Sequence, residues 1–273
     1  MTGSGTDKAF TGSIPALYDE HLVPMIFDPY AVDLAERLAA RPVTAVLEIA
    51  AGTGVVTRRL ASALPETVSI TATDLNDQML EVAAGIGTAR PVQWQQADAT
   101  RLPFAEGAFD AVVCQFGYMF PPDKAVAFSE ARRVLRPGGA LVFSVWDCIE
   151  ENEFADVVTT ALETLFPEDP PRFLARTPHG YHDLAQIMGD LRAGGFDVTP
   201  EMISTLTLPS RSASARTVAV AFCEGSPLRN EIEARDPARL GEATDVAQAA
   251  IARRFGPGPV EGRMRAHIVT VVR

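Results

Sequence analysis

Glu48, Gly52, Gly54 and Asp74 are the residues whose types and spacing first point to chemistry. An acid is followed by a turn with two glycines, and a second acid comes 22 residues after Gly52. Glycine lacks a Cβ, so such a turn can take positive φ and let a ligand approach the backbone. The backbone N–H groups opening the helix that follows would face the same ligand and could meet a carboxylate. An acid about 20 residues downstream, after a second strand, accepts hydrogen bonds from ribose hydroxyls. The spacing therefore points to a ligand that contains a ribose.

The elements that must position these residues alternate along the chain. Apolar runs at 45–49, 69–73, 92–96, 109–114 and 140–146 read as strands, and amphipathic segments at 55–64, 77–85 and 125–135 read as helices. Strand and helix in turn predict a doubly wound, mostly parallel α/β sheet. Ligands of such sheets bind beyond the carboxyl ends of the strands, where the strand order reverses. Glu48, Asp74, Asp98 and Gln115 each close a strand and would all lie along that edge. Both a dinucleotide and S-adenosylmethionine carry a ribose, so the spacing alone leaves the two open.

Composition narrows the partners. The chain has 24 basic and 35 acidic residues, a formal net charge of −11, with Lys8 and Lys124 as its lysines. No run of cations is present to neutralise a phosphate backbone, which argues against nucleic acid. Cys114, Cys148 and Cys223 are widely spaced and fit neither a disulfide framework nor a metal site, so a reducing cytoplasm is expected. There is no apolar run of membrane-spanning length, and the first ten residues are polar and glycine-rich, unlike an export signal. No membrane partner and no metal are expected.

The flanks are less regular. Residues 1–12 read as a disordered tail, and Ser13-Ile14-Pro15 opens a helical stretch that Pro24 should interrupt before a second helix at 30–40. After the fifth strand come a helix at 151–166, a stiff break at 167–171, an aperiodic segment at 172–181 and a helix at 184–193 capped by Asp183. Strands at 203–208 and 267–272 enclose a long excursion, 212–262, with helices expected at 215–223 and 237–255. The organisation reads as one domain. Residues 1–40 form an N-terminal helical cap, 41–147 the cofactor-binding core, 148–200 a lid segment and 201–273 a C-terminal hairpin with a helical insertion. The excursion is expected to extend the lid or to serve a homodimer contact.

Five motifs, taken in order, resemble the class I S-adenosylmethionine-dependent methyltransferases, in particular the small-molecule group that includes ubiquinone and menaquinone methyltransferases. They are Val46 to Gly54 (VLEIAAGTG), Ala72 to Leu80 (ATDLNDQML), Gln96 to Phe104 (QADATRLPF), Phe109 to Val113 (FDAVV) and Glu130 to Gly139 (EARRVLRPGG). The resemblance implies a Rossmann-like seven-stranded sheet with helices on both faces and an antiparallel last strand. It implies S-adenosylmethionine as cofactor and S-adenosylhomocysteine as product. By the same resemblance Glu48 and the turn from Ala50 to Gly52 would border the methionine part, and Asp74 would hold the ribose. Leu75 and Met79 would flank the adenine, Asp98 would take its amino group, Ala99 would offer a backbone contact, and Gln115 would sit beneath the sulfonium. Tyr18 matches a tyrosine that covers the methionine carboxylate in some relatives.

The chain departs from the family at Ala50, where glycine is usual. A methyl there restricts positive φ, so either that backbone is in an ordinary conformation or the cofactor shifts slightly. The alternatives are a protein that binds the cofactor without methyl transfer, and an NAD(P)-dependent oxidoreductase. The second lacks support, because none of Tyr18, Tyr30, Tyr118 or Tyr181 has a lysine four residues later. On the acceptor side His179, Tyr181 and His182 are the candidates for a general base or for acceptor contacts. A base is needed if a hydroxyl accepts the methyl. An acceptor already ionised needs mainly positioning.

Overall fold

The computed structural model describes residues 6–273. Seven strands form one sheet: β1 (Ala45–Ile49), β2 (Ser69–Asp74), β3 (Gln93–Gln96), β4 (Phe109–Gln115), β5 (Leu135–Trp146), β6 (Ile203–Ser212) and β7 (Val260–Val272). Their order is β3-β2-β1-β4-β5-β7-β6. β1 pairs in parallel with both β2 and β4, so the strand order reverses between β1 and β4. β7 runs antiparallel beside β5, with the Gly138 amide donating to Arg273 O and the Arg273 amide to Gly139 O. The predicted fold class is thus the observed one.

The central strands are buried on both faces, and their sequences are accordingly continuous apolar runs rather than alternating ones. Val46, Leu47, Val112, Val113, Leu141, Val142 and Phe143 lose all solvent contact, each adding about 1.5–3 kcal/mol of hydrophobic stabilisation.

The chain divides into two compact units. One comprises 28–145, 181–206 and 266–273, and holds β1 to β5 with helices α2 (Asp28–Ala39), α3 (Val55–Ala63), α4 (Asp77–Ile86), α5 (Lys124–Val134) and α8 (Leu184–Ala193). There α2 packs on α3 and α5 on α8. The other unit comprises 1–27, 146–180 and 207–265. It holds α1 (Ile14–Leu17), α6 (Glu153–Leu165), α7 (Phe173–Arg176), α9 (Ala215–Cys223), α10 (Leu228–Arg235) and α11 (Leu240–Phe255), with α11 packed on α9 and α6.

Several expectations about the flanks are corrected. Pro24 does not break the helical run; it lies inside a π-helical stretch, Tyr18–Phe27, that joins α1 directly to α2. The wide i→i+5 turns absorb a residue that has no N–H to donate. Of the expected tail, residues 1–5 lie outside the described residues, whereas Thr6–Lys8 form a 3₁₀ turn. Asp7 is buried and pairs with both guanidinium nitrogens of Arg176 and the Thr177 hydroxyl, which ties that segment down. The last two strands are longer than expected, and α7 and α10 fall where no helix was predicted.

Among the described residues no helix is long and apolar enough to cross a membrane. The three cysteines are free thiols.

Candidate functional site

The turn between β1 and α3 is built from the glycines upward. Gly52 and Gly54 both take positive φ, at 56° and 84°. Gly54 must remain glycine for a second reason, since a Cβ there would lie 2.9 Å from the Trp94 ring. The turn is fastened to the neighbouring strand by two bonds: the Ala51 amide donates to Thr73 O at 2.9 Å, and the Gly52 amide donates to Asp74 Oδ2 at 2.8 Å.

Asp74 is therefore the hinge pin of this edge. Its Oδ1 accepts from the Asn76 amide at 2.8 Å, and its backbone carbonyl accepts from the Ala97 amide at 2.9 Å. Burial pushes its carboxyl pKa upward against these donors. Oδ1 also accepts from the Asn76 side-chain amide at 3.5 Å, and Oδ2, which accepts from Gly52, can take a further donor. A ribose hydroxyl fits that remaining capacity.

Glu48 is deeper, 1% exposed at the end of β1, and accepts from the Thr57 hydroxyl at 2.5 Å. Burial raises its pKa to about 8, so at neutral pH it holds a proton that an ordinary glutamate has lost. Its carbonyl accepts from the Thr73 hydroxyl at 2.8 Å. Beside it the Thr53 hydroxyl is buried with no hydrogen-bond partner among the described residues. Such an orphan in a turn of this kind suits a polar ligand.

The remaining predicted residues of this edge follow β2, β3 and β4. Leu75 is 42% exposed directly after Asp74, whereas Met79 is buried on α4. Asp98, exposed after β3, caps its own turn by accepting from the Thr100 amide and hydroxyl, with Ala99 half-buried between them. Gln115 ends β4, half-buried, in register with Ser144 of β5. Glu48, Ala50, Gly52, Asp74, Leu75, Met79, Asp98, Ala99 and Gln115 all belong to one compact unit.

Ala50 decides against one of the two alternatives set out for it. Its φ is +55°, so its backbone is left-handed rather than ordinary. Phe116, directly after Gln115, has φ +52°, and these two are the non-glycine residues with positive φ among the described residues. Both sit at the carboxyl ends of β1 and β4, where the strand order reverses. Strain of this kind costs about 1–3 kcal/mol per residue and gathers at functional sites. Sequence reading missed Phe116, Gly117, Thr53 and Thr57. Gly117, two residues after Gln115, was the one available signal.

The other candidates separate. Tyr18 lies in the second unit, stacked on Phe27 at 4.9 Å with Phe10 edge-on at 5.8 Å. His179 belongs to that unit too, buried, its ring 5.8 Å from Trp146 and its Nδ1 2.9 Å from Asp147 O. A carbonyl only accepts, so Nδ1 carries the proton of this bond. Tyr181 falls in the first unit. Its hydroxyl donates to Asp190 Oδ2 at 2.8 Å, Lys124 Nζ lies 4.7 Å above its ring, and burial pushes its pKa well up. His182 is exposed beside Asp183, whose carboxylate caps α8. Glu151 and Glu153 are committed to Arg263, Arg265 and Arg254.

Comparison with known proteins bears on this geometry. A family model described as a methyltransferase domain matches residues 46–139. The demethylmenaquinone methyltransferase of Mycolicibacterium vanbaalenii is 35% identical over 170 residues, 59% of this chain and 72% of that protein. The ubiquinone/menaquinone biosynthesis C-methyltransferase UbiE of Ectopseudomonas mendocina is 41% identical over 111 residues, 39% of this chain and 43% of that protein. The chain thus aligns with less than half the length of that relative. Among solved structures, phosphoethanolamine N-methyltransferase 2 of Haemonchus contortus in complex with S-adenosyl-L-methionine matches with a TM-score of 0.59 at 15% identity. That match covers 97% of this chain and 57% of the other, and it shows the shared fold.

Proposed function

Because the chain belongs to the class I S-adenosylmethionine-dependent methyltransferases, we propose that it transfers a methyl group from S-adenosylmethionine to a small-molecule acceptor by direct displacement, releasing S-adenosylhomocysteine. The observation that carries this is the Gly52–Asp74 bond with the left-handed Ala50 beside it. Together they present a backbone turn and an acid with spare acceptor capacity at the strand-order reversal.

Bound there, the cofactor supplies an activated methyl on its sulfonium. Asp74 accepts from the ribose hydroxyls while its backbone bonds keep it in register with the turn. Glu48, Ala50 and Gly52 would border the methionine part. Leu75 and Met79 would flank the adenine, Asp98 would take its amino group, Ala99 would offer a backbone contact, and Gln115 would lie beneath the sulfonium. In-line orientation and exclusion of water supply most of the rate.

Where a hydroxyl is the acceptor, His179 is the base this reading favours among His179, Tyr181 and His182, its ring being oriented by the Asp147 carbonyl. The Tyr181 hydroxyl is engaged by Asp190, and His182 faces solvent. A small molecule rather than nucleic acid is the acceptor on this reading, given 24 basic against 35 acidic residues. Three free thiols favour the cytoplasm, and size-exclusion chromatography with light scattering tests the homodimer.

The deciding experiment is formation of S-adenosylhomocysteine across a panel of phenols, quinones and amines. Turnover on any acceptor establishes transfer. Saturable cofactor binding with no product on the whole panel favours the non-transferring protein, and no binding of either cofactor form to folded protein overturns the assignment.

A further inference from the structure

The methyl of Ala50 and the missing side chain of Gly117 fit each other. A Cβ on Gly117 would lie 2.6 Å from the Ala50 Cβ and 2.5 Å from Cys114 Sγ. Real Cβ atoms do not come so near, so the bare Cα of Gly117 is the hollow into which the Ala50 methyl points. Gly117 is not among the positive-φ residues. Space, rather than backbone conformation, is therefore what excludes a side chain there.

We infer that Gly117 is a positioning residue for the cofactor turn: by receiving the Ala50 methyl it lets an alanine hold a left-handed conformation at a position where the family usually has glycine. This rests on the methyltransferase reading of that turn. Neither wall of the hollow can yield cheaply. The turn is pinned on its far side by Ala51 to Thr73 and by Gly52 to Asp74. The β4 loop is pinned by the Phe116 amide on Ser144 O at 3.0 Å and by the Phe116 ring edge-on to Tyr30 at 5.4 Å. A methyl added at 117 would push the Ala50 backbone, and with it the Gly52 amide that orients Asp74. Overpacking of this kind costs about 1–3 kcal/mol. The turn that holds the donor and the loop that follows Gln115 are thus coupled through one methyl group.

The test is a cycle in the Cys114→Ala background, which removes the sulfur contact and leaves the methyl–methyl contact alone. Gly117→Ala is compared with its parent twice, once with Ala50 and once with Ala50→Gly, by titration calorimetry with S-adenosylhomocysteine. The expected result is at least ~10-fold weaker binding caused by Gly117→Ala when residue 50 is alanine, and less than ~3-fold when it is glycine. A purely structural burden at 117 would weaken both backgrounds alike. Equal loss in the two backgrounds, or no loss with alanine at 50, overturns the inference. If the protein with alanine at both positions does not fold, the glycine-50 pair still decides: retained affinity supports the coupling and a ~10-fold loss defeats it. Failure of the unmutated protein to bind S-adenosylhomocysteine would instead overturn the methyltransferase assignment.

Discussion

Gly52 donates its amide to the Asp74 carboxylate at 2.8 Å, so the glycine turn and the end of β2 are held as one piece before any ligand arrives. Asp74 has two tasks in consequence: it fixes the turn and, on the proposed function, it binds the ribose. Charge-assisted hydrogen bonds contribute about 1.5–3 kcal/mol each. Asp74→Ala should therefore weaken S-adenosylhomocysteine binding by ~10- to 1,000-fold in calorimetry. Asp74→Asn, which keeps one acceptor oxygen, should lose less. Unchanged affinity in both would contradict the ribose assignment.

Glu48 makes a prediction about pH. Burial raises its folded pKa from an ordinary 4.5 to about 8. Between those values the folded state keeps a proton that the unfolded state has released. Its contribution to stability is full below about pH 4.5 and is lost as pH rises through about 8. Glu48→Gln retains an acceptor for the Thr57 hydroxyl and removes this titration. Urea midpoints at pH 5, 7 and 9 should show the variant gaining on the parent as pH rises, by a few kcal/mol at most on the order expected from the shift. Asp74, also buried and raised, leaves part of the slope behind in the variant. Parallel pH curves for variant and parent would refute the buried-acid account.

His179 and Tyr181 should behave differently. With a hydroxyl acceptor, His179→Asn is expected to lower kcat by ~10²- to 10⁴-fold. Tyr181→Phe removes only the bond to Asp190 and should cost about 1 kcal/mol of stability, with kcat preserved. A kcat loss in Tyr181→Phe equal to that in His179→Asn would reverse the assignment.

Asp7 tests the corrected N-terminal segment. Its carboxylate accepts from Arg176 and from Thr177 Oγ1 at 2.7 Å, while Arg176 also pairs with Glu231 at 2.5 Å. Because Glu231 remains to hold the guanidinium, Asp7→Ala should cost about 1–2 kcal/mol rather than the 3–5 of a stranded buried charge. Faster hydrogen exchange at Arg176 and Thr177 with unchanged exchange in β1 and β4 would mark the loss as local. Uniform acceleration across both units would argue against a local tie.

The legible parts of the chain were those whose signals are local. The parallel strands β1, β2 and β4 announce themselves as apolar runs cut off by acids and glycines, and Asp183 caps α8 as its type suggests. What escaped depends on contacts distant in sequence. Asp7 is ordered by Arg176, 169 residues away. α10 is largely polar and buries only Leu228 and Ile232, one turn apart, which is too short a stripe to read. β6 is an edge strand whose half-exposed residues follow no clean alternation, and its length is set by pairing rather than by pattern. Within the site, Asp74 and Glu48 could be read from spacing. The Ala50–Gly117 fit could not, because neither residue alone carries any sign of the other.

The division of the chain has a bearing on how it can diverge. Every motif residue from Glu48 to Gln115 belongs to one compact unit, whereas residues 213–259, between β6 and β7, belong wholly to the other. Substitutions in that excursion fall outside the unit that holds the Gly52–Asp74 bond. A lineage carrying this chain can therefore remodel α9, α10 and α11 over generations without replacing any of those motif residues.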